Sequence, residues 1–234
     1  MSPDDALVRR PLAALRARPV LWAVLPGALL VVAGLVLFFG VLDGVREKDD
    51  LWDLDQPVLD WLVAHRTTGF TSALAAITFV SGPTVLPIIV GVGCLVWGLV
   101  RREWWRPVLL AAAMVGSTLL GLAAKGLVGR ARPPADTMYV PGAETTASFP
   151  SGHTLGTATL LLVAGYLVCS RNPSTARIVA WGVATVVGTA LVALSRLYLG
   201  YHFLTDVVAA VGLAVVVLGV VSVVDRLHTK PPPG

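Results

Sequence analysis

The stretch SRLYLGYHFLTD, residues 195–206, separates two apolar runs, 178–195 and 205–224, and sets a cation, a histidine and a carboxylate at their junction. Working outward, PSGH at residues 150–153 opens a third apolar run, 154–170, and KGLVGRARP at residues 125–133 closes a fourth, 107–127. Two more runs lie upstream, at 20–42 and 84–100. A helix needs about 20 apolar residues to cross roughly 30 Å of hydrocarbon, and all six runs approach or exceed that length. The expected fold is therefore all-α, a six-transmembrane-helix bundle. Its membrane domain covers 20–224, between an N-terminal segment, 1–19, and a tail, 225–234.

Composition points the same way. Hydrophobic residues make up 56% of the chain and mean hydropathy is +0.77; soluble domains hold about 45–50% apolar residues, so the excess must face lipid. A net charge of +4 does not indicate nucleic-acid binding, because the basic residues sit at the ends of apolar runs and form no stripe. Cys94 and Cys169 both fall inside predicted helices, which excludes a disulfide framework or a CxxC metal pair. The first run is longer than a signal-peptide core and no small-residue cleavage site follows it, so it is expected to be retained.

Two other stretches are read as peripheral. Thr71–Val80 is apolar, but ten residues of helix rise only about 15 Å and Ser81-Gly82-Pro83 stops it, which predicts a short helix at the outer face. Asp43 to Asp60 reads as a solvated loop ending in a short helix, with Asp55 as cap, Pro57 in the first turn and Val58, Leu59, Leu62 and Val63 on one face. No chemistry is assigned to it.

Charge sets the orientation. Threading six spans alternately gathers Arg9, Arg10, Arg16, Arg18, Arg101, Arg102, Arg106, Arg171, Arg177, Arg226 and Lys230 on one face. Only Arg46, Lys48 and Arg66 fall on the other, outside the three polar blocks. The basic face is expected to be cytoplasmic, with both termini there. The block at 125–133 ends the third span, PSGH opens the fourth, and residues 195–206 end the fifth. All three blocks then meet outside the cytoplasm, where one site can form from them.

The residue types suit phosphate chemistry. Phosphoryl transfer is chiefly a matter of positioning and of stabilising charge on the equatorial oxygens. Arg132 and Arg196 can each hold two phosphate oxygens in a planar fork, and Lys125 adds a compact charge. Ser151 and Gly152 stand just before a helix, where free backbone N–H groups favour an anion and the missing side chain admits phosphate. His202 and Asp206 are four apart, so on a helix starting near Tyr201 the carboxylate can orient the imidazole and leave its other nitrogen free to attack. His153, at the phosphate seat, is placed to protonate the leaving oxygen and then to activate water. Singly, each has a duller reading: Lys125 and Arg132 as interfacial snorkels, His202 as an interfacial histidine, Ser151-Gly152 as an ordinary helix start, Asp206 as a cap. Arg130 is read as a contact to lipid head groups in preference to a phosphate ligand. It is the conjunction of blocks that carries the reading.

In their order and spacing these blocks resemble the signature of the type 2 phosphatidic acid phosphatase superfamily. Lysine stands seven residues before Arg132-Pro133, Pro150-Ser151-Gly152-His153 is complete, and Ser195-Arg196 is followed by His202 and Asp206. The resemblance spans about residues 70–224, with its core at 107–224. It implies a helix bundle of the kind shared with haloperoxidases, His202 as nucleophile, His153 as acid and base, and no metal or other cofactor. It further implies a lipid phosphate substrate: polyprenyl diphosphate, phosphatidic acid or phosphatidylglycerol phosphate. The soluble, vanadate-binding haloperoxidase branch fits poorly with six spans. A phosphotransferase passing phosphate from His202 to a lipid or glycan is the main alternative. A transporter is a remote one, because the charges cluster at helix ends and not at mid-membrane. The expected surroundings are the bilayer and its lipids, without nucleic acid; oligomeric state is left open.

Overall fold

The computed structural model describes residues 19–229. Arg9, Arg10, Arg16, Arg18 and Lys230, and with them most of the N-terminal segment and the end of the tail, lie outside the described residues. The described residues form no strand and hold eight α-helices: α1 (Pro19–Glu47), α2 (Asp55–Ala64), α3 (Thr68–Val80), α4 (Val85–Arg101), α5 (Trp105–Val128), α6 (Gly152–Cys169), α7 (Thr175–Tyr198) and α8 (Leu204–Thr229). Helices α1, α5, α6, α7 and α8 are each long and apolar enough to cross a membrane. α3 and α4 meet at a bend of 53°, and counted as one broken span they bring the number to six.

α3 stays at one end of the bundle. The Thr67 N–H donates to the Tyr198 hydroxyl at 2.7 Å, and Thr78 Oγ1 meets Ser195 Oγ at 2.8 Å, both at the C-terminal end of α7. The expected short helix is thus present, starting three residues earlier, and it passes into α4 through the bend. The first helix departs from expectation at its end. It runs through Glu47, so residues 43–47, read as loop, are a further turn of helix. Val41, Leu42 and Val45 are buried there and pull that turn onto the bundle.

α8 is the central helix and packs against α1, α5 and α6. Its seam with α1 rests on four glycines. A Cβ on Gly34 would sit 2.5 Å from the Gly212 carbonyl oxygen, and one on Gly219 2.6 Å from that of Gly27. Glycines seven apart on each helix thus let two backbones touch, as small residues do where helices associate in lipid. Outward faces keep their leucines and valines exposed, among them Val36, Leu122 and Val186, as a lipid-facing bundle requires. The seam fixes the start of α8 beside the ends of α1 and α5, which is where the polar blocks converge.

Candidate active site

Four helix ends build the site: the C-terminal ends of α5 and α7 and the N-terminal ends of α6 and α8. The blocks are joined through backbone. Ser151 N–H donates to the Asp206 carbonyl at 3.0 Å, and Ser148 N–H to the Arg130 carbonyl at 2.8 Å. The turn between α7 and α8 is closed by Tyr201 N–H and His202 N–H, both donating to the Arg196 carbonyl. Gly200 makes that turn possible. Its φ is +74°, and a Cβ there would lie 2.2 Å from the Thr137 carbonyl oxygen.

His202 lies just before α8, which begins at Leu204 and not near Tyr201 as expected. The pairing with Asp206 nevertheless forms. His202 Nδ1 is 3.1 Å from Asp206 Oδ2 and 3.2 Å from Ser148 Oγ, and Ser148 donates its hydroxyl proton to the same carboxylate oxygen. Phe203 N–H donates to Asp206 Oδ2 at 2.9 Å, so the carboxylate also caps the helix start. On the far side of the ring, Arg132 Nη1 stands 3.3 Å from Nε2. A guanidinium can only donate, so Nε2 carries the lone pair and Nδ1 the proton. Burial pushes the His202 ring down to about 4, against the opposing pull of Asp206, so the imidazole is neutral at pH 7.

Arg132 and Arg196 share one carboxylate. Glu144, from the loop between α5 and α6, accepts from Arg132 Nη2 at 3.0 Å through Oε2 and from Arg196 Nη2 through Oε1. Burial alone would raise the Glu144 carboxyl; the two arginines outweigh it and hold the group below the usual carboxylate range. Arg196 is almost wholly buried and stacks on Tyr201, 4.4 Å from the ring centroid, with its Nε unpartnered. Lys125 Nζ turns to the carbonyls of Ala147 and Ser148. Ser151 is the N-cap of α6, and nothing lies within 4 Å of where a Gly152 Cβ would project. A pocket of about 270 Å³ opens here, lined by His153, Arg196, Glu144 and Tyr201 and by the α3–α4 bend at Gly82 and Pro83. Of the eight expected residues, His153 and Arg196 line this pocket; Arg132 and Asp206 reach His202, the Ser151 N–H reaches the Asp206 carbonyl, and Lys125 reaches the Ser148 carbonyl just before the Ser151-Gly152 turn. Among the described residues no three His, Cys, Asp or Glu side chains converge as a metal set.

A family model of the PAP2 superfamily matches residues 106–229, which takes in all three blocks. The chain belongs to the PAP2 superfamily. It is similar to phosphatidylglycerophosphatase B of Bacillus subtilis (strain 168), 27% identical over 195 residues that cover 82% of this chain and 93% of the relative. A crystal structure of a transmembrane PAP2 type phosphatidylglycerolphosphate phosphatase from Bacillus subtilis superposes with a TM-score of 0.73. It is 24% identical, over 86% of this chain and 97% of that one. The crystal structure of Aquifex aeolicus LpxE shares the fold at a TM-score of 0.54 and 19% identity, over 72% of this chain and 94% of that one. The chain is thus a multi-pass membrane phosphatase of the PAP2 type.

Sequence reasoning misplaced two residues of this PAP2 protein. Arg130 does not reach lipid head groups. It is buried, donating from Nη1 to Thr205 Oγ1 at 2.6 Å and Asp206 Oδ1 at 2.7 Å, and from Nη2 to Asp55 Oδ2 at 2.6 Å. Its guanidinium lies against the rings of Trp52 and Phe203, 4.6 and 4.5 Å from their centroids, which are themselves 6.5 Å apart. Asp55 is not a solvated cap. It is buried at the start of α2, where it also accepts from Thr205 N–H at 2.9 Å. Ser148 and Glu144 carry no chemical reading in the sequence. The only hint for Glu144 is its position in the loop between two blocks, and Ser148 lies two residues before PSGH with no distinguishing pattern.

Proposed function

We propose that this PAP2 protein hydrolyses a lipid phosphate monoester, or the terminal phosphate of a lipid diphosphate, through a phosphohistidine at His202, without a metal ion. The observation that carries the reading is the His202 ring, held by Asp206 and Ser148 on one nitrogen with its other nitrogen turned to Arg132. In the first step the Nε2 lone pair attacks phosphorus, the P–N bond forms, and the P–O bond to the lipid breaks as His153, which gains its proton when the dianionic phosphate binds beside it, gives that proton to the leaving oxygen. In the second, His153 takes a proton from water, the water oxygen attacks phosphorus, and the P–N bond breaks to release inorganic phosphate. Lys125, Arg132, Arg196 and the Gly152 amide balance the charge that a metal supplies in other phosphatases, while the Ser151 amide is taken by the Asp206 carbonyl.

The relative named for phosphatidylglycerophosphatase activity supports phosphatidylglycerol phosphate as a substrate. Phosphatidic acid and polyprenyl diphosphate present the same terminal phosphate. The basic residues at the opposite end of the bundle, Arg101, Arg102, Arg106, Arg171, Arg177 and Arg226, support a site facing away from the cytoplasm, with both termini inside.

Rapid quench with radiolabelled lipid phosphate tests the chemistry. The wild-type protein should show an acid-labile phosphoenzyme and release free phosphate in excess EDTA, with orthovanadate inhibiting. His202→Ala should show no phosphoenzyme and keep less than about a hundredth of the activity, since loss of a covalent nucleophile costs several orders of magnitude. Activity lost to EDTA and restored by a divalent ion would overturn the metal-free scheme, and label appearing on a lipid or glycan acceptor would mark a phosphotransferase.

A further inference from the structure

The two guanidinium groups that form the phosphate seat are already occupied by an anion of the protein's own. Glu144 spans them, one carboxylate oxygen on Arg132 and the other on Arg196, in the bidentate manner in which a phosphate would bridge the same pair. Behind them, His202 is only 1% exposed, and its Nε2 is covered by the Arg132 fork that Glu144 holds in place. As it stands, the seat is filled and the nucleophile is shielded.

The loop that carries Glu144 is fastened unevenly. Its first part is pinned to the α7–α8 turn: Tyr139 N–H donates to the Leu199 carbonyl at 2.9 Å, and Arg66 reaches both the Tyr198 and Thr137 carbonyls at 2.7 Å. Its last part is pinned by Lys125 and by Ser148 N–H on the Arg130 carbonyl. Between them the tip, 140–146, has Pro141, Gly142, Ala143 and Thr145 exposed. Past Val140, whose N–H donates to the Tyr201 hydroxyl at 3.3 Å, the tip grips the body through Glu144 on the two arginines and through Thr146, whose Oγ1 and carbonyl both accept from Arg132. A ligand that takes Arg132 and Arg196 therefore takes the anchors of the tip beyond Val140.

We propose that Glu144 is an internal competitor for the phosphate seat, displaced by the substrate's phosphate, and that its displacement releases the 140–146 tip. The proposal rests on the reading of Arg132 and Arg196 as phosphate ligands. Glu144 then sets a charge threshold: a dianionic phosphate outbids one carboxylate for two guanidinium groups, whereas a singly charged anion meets an equal already in place. This is discrimination by an opposing element built into the site.

The test is inorganic phosphate binding to the purified full-length protein by titration calorimetry. Glu144→Gln keeps the shape and removes the charge, and should tighten phosphate by about tenfold, the penalty expected when the seat is free about a tenth of the time. Glu144→Asp, charged but too short to bridge both arginines, should fall between. Arg196→Lys should weaken phosphate. If Arg196→Lys weakens binding while Glu144→Gln leaves it unchanged or weaker, the competitor is overturned and the seat stands. If neither variant alters binding, the seat itself is wrong. Should Glu144→Gln fail to fold, a spin label at Thr145, in a protein with Cys94 and Cys169 replaced, reads the same event in the presence of Glu144. Saturating phosphate should increase its mobility, and an unchanged spectrum would overturn the release of the tip.

Discussion

Two buried arginine clusters lie side by side in this molecule and are built differently. Arg130 is clamped by carboxylates that belong to helices, Asp55 at the start of α2 and Asp206 in the first turn of α8, and packs against the rings of Trp52 and Phe203. Arg132 and Arg196 are bridged by one carboxylate, and that carboxylate rides on a loop. The Arg130 carboxylates cannot leave without moving helices. Glu144 can leave by moving a loop tip. The clusters also differ in charge, two carboxylates on one arginine against one carboxylate on two, and Glu144 is the more exposed carboxylate, so mounting, charge and exposure together separate a structural tie from an exchangeable binding site.

The sharpest way to break that contrast is to remove one carboxylate from each cluster. Asp55→Ala leaves Arg130 short of a partner in a buried site and should cost about 3–5 kcal/mol of stability, the usual result of breaking a buried ion pair. Glu144→Ala exposes its arginines to the pocket and should cost less than about 1 kcal/mol. Thermal melts in detergent measure both, and equal losses would mean that the two clusters are structurally alike.

The cations give the next largest effect. Arg132→Lys and Arg196→Lys lose the planar fork but keep the charge, and should lower kcat/KM by about 10- to 100-fold with little change in Tm. Arg130→Lys should do the converse, lowering Tm first, because its fork serves Asp55, Thr205 and Asp206 and not the substrate. A Tm loss for Arg196→Lys as large as that for Arg130→Lys would erase the distinction.

His202 touches both clusters, Asp206 from one and Arg132 from the other, and its titration is the finest probe. Its folded value near 4 lies below the ordinary histidine value near 6.5, so between those pH values the unfolded chain binds the extra proton. Stability should therefore fall as pH drops from about 6.5 to 4. His202→Gln should remove part of that slope, a difference of about 1 kcal/mol or more across the window. An identical slope in the variant would mean that Asp206 offsets the burial of the ring.

How much of this was legible beforehand follows the range of the interactions. The helix spans were readable to within a few residues, because hydropathy and helix-ending residues act locally. α1 ran past its expected end because the Val41–Val45 turn is held by packing on the bundle and not by its own propensity. The glycine seam carried no signal, since glycines seven apart look the same whether or not another backbone lies against them.

The sequence alone determined that the chain is a bundle of membrane helices and that Lys125, Arg132, the PSGH turn, Arg196, His202 and Asp206 belong to one end of it. The reason is that hydropathy sets the crossings and parity sets the ends, and neither needs a contact to be known. Tertiary structure alone decided which cation meets which carboxylate. Arg130 and Arg132 are two residues apart in one block, yet one is closed by Asp55 from 75 residues upstream and the other by Glu144 from the neighbouring loop. Their fates differ because a charge taken out of water must find an opposite charge in space, and separation along the chain does not say which one lies within reach.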